Sequence, residues 1–247
     1  MQPQSTTELR LTRTHRGSAL TRHPKGFTLV ELAVVLVIIG LIIGAVTIGK
    51  DLQRNAVYQR ISNDFVQGWA IAYDRFYDGT GRPPGDSASA PTGKVNGTSA
   101  PAALCDSDLR SAMQAAGVEM PQGRTEGSAD LYVYLDSNGN PQQLQVCFAN
   151  VSWSEPGATA GTYVVRPRNV MVLNSMTPAL ASLLDSNFDT IVDARFGNLR
   201  ETTVAANITA GSVAWSVDDR MAYGSTTATA LDESQVAVVN GYLKMSR

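Results

Sequence analysis

The sequence predicts an α+β protein in which a long N-terminal helix, membrane-spanning in its first half and amphipathic in its second, packs on an antiparallel β-sheet. Three observations predict this class. An apolar run of 23 residues, Phe27 to Gly49, carries a single charge, Glu31. Beyond it Leu52, Ala56, Val57, Ile61, Phe65, Trp69, Ala72 and Phe76 recur at three- to five-residue steps with charged residues between them, the pattern of a helix with one apolar stripe. Past a Gly- and Pro-rich stretch the chain turns to short alternating segments, which read as strands.

The first 26 residues form a basic leader: Arg10, Arg13, Arg16, Arg22 and Lys25 stand against one acid, Glu8. The apolar run after it makes a helix of roughly 34 Å, enough to cross a hydrocarbon core of about 30 Å. The basic flank places the N-terminus in the cytoplasm and the body on the exported side. A secretory signal is cut after its apolar stretch, but a cut there would break a continuous helix. The punctuation lies ahead of it, at Pro24-Lys25-Gly26-Phe27.

The segment KGFTLVELAVVLVIIGLIIGA, Lys25 to Ala45, resembles the N-terminal signature of type IV pilins and type II secretion pseudopilins. The resemblance implies a pilin-like fold, cleavage by a prepilin peptidase between Gly26 and Phe27 with Lys25 as part of the recognised leader, and methylation of the new Phe27 amine. It also implies other pilin subunits and an inner-membrane assembly platform as partners.

Glu31 is readable without the resemblance. A carboxylate inside a bilayer costs about 2.5–3.5 kcal/mol on insertion scales, which makes it a functional candidate. Cleavage would create a cation four residues away, the α-amine of Phe27, for Glu31 of the same or of a neighbouring subunit; the resemblance favours the neighbour, with assembly register as the role. The alternative is a Glu that reaches the headgroups. Gly40 and Gly44 form a small-xxx-small step, suited to close helix packing or simply to the glycine enrichment of membrane helices. Ile48 stands where many major pilins carry proline, and the departure points to a minor pilin or pseudopilin, with a major pilin as the alternative.

The amphipathic half is expected over residues 50–77, as a filament spine or a stalk. Residues 78–104 read as a surface loop, with Pro84-Gly85-Asp86 as a turn and Asp86 as the cap of the next segment. The fragment YDRFYDGTGRPPGD, Tyr73 to Asp86, is similar to a segment of some minor pilin-like proteins. The exported domain, 105–247, is expected to contain a helix over 107–116 with Asp106 as N-cap, and a hairpin of 130–136 and 142–151 turning at Asn138-Gly139. Further strands are expected at 162–174, 212–217 and 235–243, with a short helix near 178–185.

Cys105 and Cys147 are the only cysteines. An even count on the exported side favours a disulfide over two buried thiols. It would close a loop of about 43 residues, a constraint of about 3–4 kcal/mol. Asp185, Asn187, Asp189 and Asp193 occupy positions 1, 3, 5 and 9 of a calcium-loop pattern, with the Ile191 carbonyl at position 7. Thr190 replaces the usual glycine and Phe196 the usual bidentate Glu. The expectation is therefore no cofactor, with structural Ca²⁺ as the alternative to solvated acids in a turn.

The charge balance of 20 Lys and Arg against 22 Asp and Glu gives no sign of nucleic-acid binding. Removing residues 1–26 leaves 15 basic and 21 acidic residues, a net −6. Both histidines, His15 and His23, leave with the leader, so no Ser-His-Asp or Cys-His pair exists in the exported part. Adjacent acids, Asp218-Asp219 and Asp232-Glu233, suit exposed turns better than paired catalysis. The expectation is a structural subunit, held in the inner membrane by a single pass before assembly into a pilus or pseudopilus. A membrane-tethered periplasmic enzyme or binding domain is the competing class.

Overall fold

The computed structural model describes residues 26–97, 102–125, 127–225, 227 and 234–246. The leader through Lys25 lies outside the described residues. The chain divides into two units, Met1–Ile48 and Gly49–Arg247.

In the first unit, helix α1 (Leu29–Arg60) begins. Its side chains from Leu29 to Val46 are exposed, as expected of a segment whose apolar surface is complementary to lipid or to other helices. The helix is long and apolar enough to cross a membrane.

The second unit is built around the rest of the helical run. α1 passes into a π-helical turn, Ile61–Val66, and then into α2 (Gln67–Thr80). The π-turn was not predicted. It buries Ile61, Ser62, Phe65 and Val66 together, a wider apolar face than regular helical steps would turn inward. The helix outlasts the expected end near Tyr77 and stops at Gly81, whose φ of 71° directs its N–H to the Tyr77 carbonyl.

The sheet has five strands in the order β1-β2-β3-β5-β4, with every neighbouring pair antiparallel. They are β1 (Leu131–Leu135), β2 (Pro141–Pro156), β3 (Tyr163–Met176), β4 (Leu199–Glu201) and β5 (Val239–Lys244). Leu144, Val146, Phe148, Met171, Leu173 and Leu243 share one core with Tyr58, Ile61, Phe65, Trp69, Tyr73 and Phe76 of the helical run. Alternate residues Cys147, Ala149, Val151, Trp153, Val170 and Val172 form a smaller cluster with Ala205. This period of two follows from the pleat. Trp69 stands edge-on to Phe148, and its indole donates to the Ala129 carbonyl at 3.2 Å.

Several expected elements are corrected. Residues 212–217 alternate like a strand but form a loop, because their backbone bonds go elsewhere: Val213 N–H to Asp193 and Ser216 N–H to Glu201. β4 was not predicted. Helix α3 (Asp106–Ala115) has Cys105 as its N-cap in place of Asp106, whose carboxylate instead accepts from Gln145 across the sheet edge at 2.8 Å. Helix α4 (Pro178–Asp189) is a turn longer than expected and starts at Thr177, which accepts the Leu180 N–H. Asp86 does more than cap a turn. It is buried and gathers N–H groups from Ser87, Thr92 and Gly93 and the Thr92 hydroxyl, which folds the loop over the sheet and seats Val95 in the core.

Cys105 and Cys147 are joined as a disulfide that links the start of α3 to the centre of β2. An isolated bridge between Leu104 and Phe148 supports the same junction.

Candidate functional site

The first residues of α1 carry a reciprocal cap. Glu31 Oε2 accepts from the Thr28 N–H at 2.8 Å and from the Thr28 hydroxyl at 3.0 Å, while the Glu31 N–H donates to Thr28 Oγ1 at 3.2 Å. A helix leaves its first four N–H groups without intrahelical partners, and a Thr-x-x-Glu capping box satisfies two of them. The carboxylate is therefore not bare, since its charge already answers the positive end of the helix dipole. Thr28 is the partner of Glu31 that the sequence reading missed, and the Thr-x-x-Glu spacing was the signal for it.

Among the described residues Phe27 is 81% exposed, and a Cβ built on Gly26 meets nothing within 4 Å. Lys25 lies outside the described residues. Gly40 and Gly44 likewise present open space where a Cβ would stand, a vacant strip suited to a neighbouring helix.

The acids at the end of α4 are not solvated turn residues, since Asp185 and Asp193 are buried and hydrogen-bonded to neighbouring segments. Asp189 accepts the N–H groups of Asn198 at 2.6 Å and Leu199 at 2.8 Å. Gly197 is required beside it, with φ at 88° and the Asp189 carboxylate filling the space where a Cβ would lie. Asp193 accepts from Arg195, Phe196 and Val213 N–H groups and from the Ser212 hydroxyl. Burial alone would raise its pKa, but these donors together outweigh burial and hold the carboxyl below its usual range. Asn187 donates to Ser62 of the π-turn at 3.0 Å. Each of the four predicted loop residues thus anchors a neighbouring segment. Among the described residues no group of three or more His, Cys, Asp or Glu is placed to hold a metal.

Asp185 is fully buried. Oδ2 accepts from the Trp215 indole at 3.0 Å and from the Asp193 N–H at 2.8 Å, while Oδ1 has no donor. Burial, with Asp189 nearby, pushes its pKa up to about 7. The folded carboxyl holds its proton to about pH 7, whereas the unfolded one releases it near 4. The folded state binds more protons across that window, so this group's contribution to stability falls as pH rises through it. Asp185→Asn keeps an acceptor for both donors without the charge. Its stability relative to wild type is expected to rise by about 1–3 kcal/mol between pH 5 and 8. Denaturant unfolding at the two pH values measures this, and parallel changes in both proteins would contradict it.

No curated protein and no solved structure matches the chain. A family model does: that of the prokaryotic N-terminal methylation motif, over residues 21–47, which contain Gly26, Phe27, Glu31 and the first turns of α1. By that motif the chain carries the signature of type IV pilins and pseudopilins, on the start of a long helix that is followed by a five-stranded antiparallel sheet in a pilin-like α+β arrangement.

Proposed function

We propose that this chain is a structural subunit of a type IV pilus or related filament, a minor pilin or pseudopilin, cleaved between Gly26 and Phe27 and assembled from the inner membrane. The observation that carries the reading is the methylation motif lying on a helix start whose one acid, Glu31, is poised four residues from the scissile junction. In the uncut chain the Glu31 carboxylate satisfies Thr28. Cleavage adds the α-amine of Phe27, with a reference pKa of about 7.7–8.0 and hence largely cationic at neutral pH. A carboxylate in hydrocarbon gains more from a full positive charge than from an amide dipole, and desolvation sharpens that difference. The amine of an incoming subunit thus competes with Thr28 for Glu31 and fixes axial register as helices stack along the Gly40–Gly44 strip.

On this reading the N-terminus is cytoplasmic and the folded domain periplasmic until a platform and motor of other proteins extract the helix from the membrane. The signature points to a structural subunit and not to an enzyme. Glu31→Ala is expected to leave cleavage intact but remove the protein from sheared filaments, with Glu31→Gln nearly as deficient because the amide keeps the hydrogen bonds and loses the charge. Immunoblots of sheared and cell-bound fractions read this out. Wild-type amounts of either variant in the filaments would refute the pairing.

A further inference from the structure

β3 runs back to Tyr163, but β5 accompanies it only as far as Val170, opposite Lys244. Where the partner strand ends, the surface sinks into a depression of about 510 Å³. Its walls come from the Asp86-anchored loop at Thr92–Lys94, from Asn150 of β2, from residues 167–169 of β3 and from residues 244–246. An incoming strand is a poor occupant, because Pro167 in this stretch of β3 has no N–H to offer.

The chemistry of the walls selects something else. Lys94, Arg168 and Lys244 line the depression. Glu155 binds Arg168 through two bonds of 2.7 Å and Lys244 at 3.3 Å, so it holds two of the cations in place, while two further carboxylates bond the lining, Asp86 at Thr92 and Gly93 and Asp74 at Ser246. The Lys94 ammonium has no partner among the described residues.

Beneath these cations lies Asn150, 3% exposed. Its Nδ2 donates to Asn169 Oδ1 at 2.8 Å; that oxygen also takes the Val95 N–H, and Asn169 Nδ2 donates to the Gly93 carbonyl. This network fixes the orientation of both amides and leaves Asn150 Oδ1 buried without a donor. Buried acceptors are otherwise almost always satisfied. The wall therefore presents cations for an anion above a buried acceptor that lacks a donor, beside a space the size of a small molecule.

We infer that this depression binds an anionic sugar, a small polyhydroxyl compound bearing a carboxylate or phosphate, with the anion on Lys94, Arg168 and Lys244 and a hydroxyl donating to Asn150. The inference is independent of filament assembly.

Titration calorimetry tests it on the full chain in a detergent without a sugar headgroup, at low ionic strength, with glucuronate, glucose 6-phosphate, glucose and acetate as probes. One or both charged sugars are expected to bind with a roughly millimolar Kd, and glucose and acetate at least tenfold more weakly. Lys94 stands on the covering loop outside the core, so its variants keep the fold: Lys94→Gln is expected to weaken binding at least threefold and Lys94→Glu to abolish it. No binding of either charged sugar would overturn the proposal. Acetate binding as tightly as glucuronate would also overturn it, by showing a site for a lone carboxylate such as an acidic side chain of another subunit. Unchanged affinity in Lys94→Glu would do the same.

Discussion

Trp69→Ala is expected to lower the stability of the exported domain by about 3–5 kcal/mol, the range for deleting a fully buried large aromatic. Trp69 is completely enclosed and joins α2 to the sheet through Phe148. The substitution removes the indole volume from the seam between helix and β2. It also leaves the Ala129 carbonyl, which now accepts from the indole at 3.2 Å, without that donor. Neighbouring Phe65, Tyr73 and Phe148 are themselves buried and in ring contact with one another or with Tyr132, so they have little freedom to collapse into the space. Trp69→Phe restores most of the volume and loses only the hydrogen bond, so it should cost clearly less. Denaturant unfolding of the two variants measures the difference; equal losses would mean that the hydrogen bond, not packing, holds the seam.

Removing the Cys105–Cys147 bond is expected to cost about 3–4 kcal/mol by the chain-entropy account, for a sequence separation of 42 residues. The bond closes the segment that holds α3, the following loop and the whole of β1. Those residues are tied to β2 otherwise by the β1 ladder, the Leu104–Phe148 bridge and the Gln145 amide that donates to Asp106. Because these local contacts survive, the double variant Cys105→Ser/Cys147→Ser should fold to the same sheet with a lower denaturation midpoint and an increased yield of proteolytic fragments from residues 105–130. A midpoint within error of the wild type under oxidising conditions would show that the reduced chain already holds this region in place.

The spine was legible because its signal is repeated, and Ile61, Phe65, Trp69, Ala72 and Phe76 of the expected stripe lie in the core, whereas Leu52 and Ala56 at its start are exposed. The π-turn at Ile61–Val66 was not legible, since the same residues at nearly the same spacing also fit an unbroken α-helix and only packing decides between them. At the sheet, β2 and β3 are long segments of 16 and 14 residues with apolar runs, whereas β4 has three residues, too few to show any period. The segment 212–217 failed in the opposite sense. Its alternation is real, but Asp193 and Glu201, distant in sequence, take the N–H groups a ladder would need.

The sites divide along the same line. Gly26, Phe27 and Glu31 stand within one contiguous motif, so they could be singled out locally, and Thr28 was equally readable from its spacing to Glu31. Asp185, Asn187, Asp189 and Asp193 show a calcium-loop spacing in the sequence, but that spacing says nothing of the partners folding brings to them, Trp215, Ser212, Val213 and, for Asn187, Ser62 from 125 residues away. Asn150 and Lys94 carry no pattern at all, and only folding brings them to one depression.

The central claim is that the chain is processed at the junction of leader and helix. Mass spectrometry of the N-terminal peptide, from protein recovered from membranes of cells that contain a prepilin peptidase, tests it most directly. The account predicts a mature chain that starts at Phe27 with a methylated amine, and an uncut chain when Gly26 is replaced by a bulky residue. An intact leader in the wild-type protein, or a new N-terminus beyond Gly49, would contradict it.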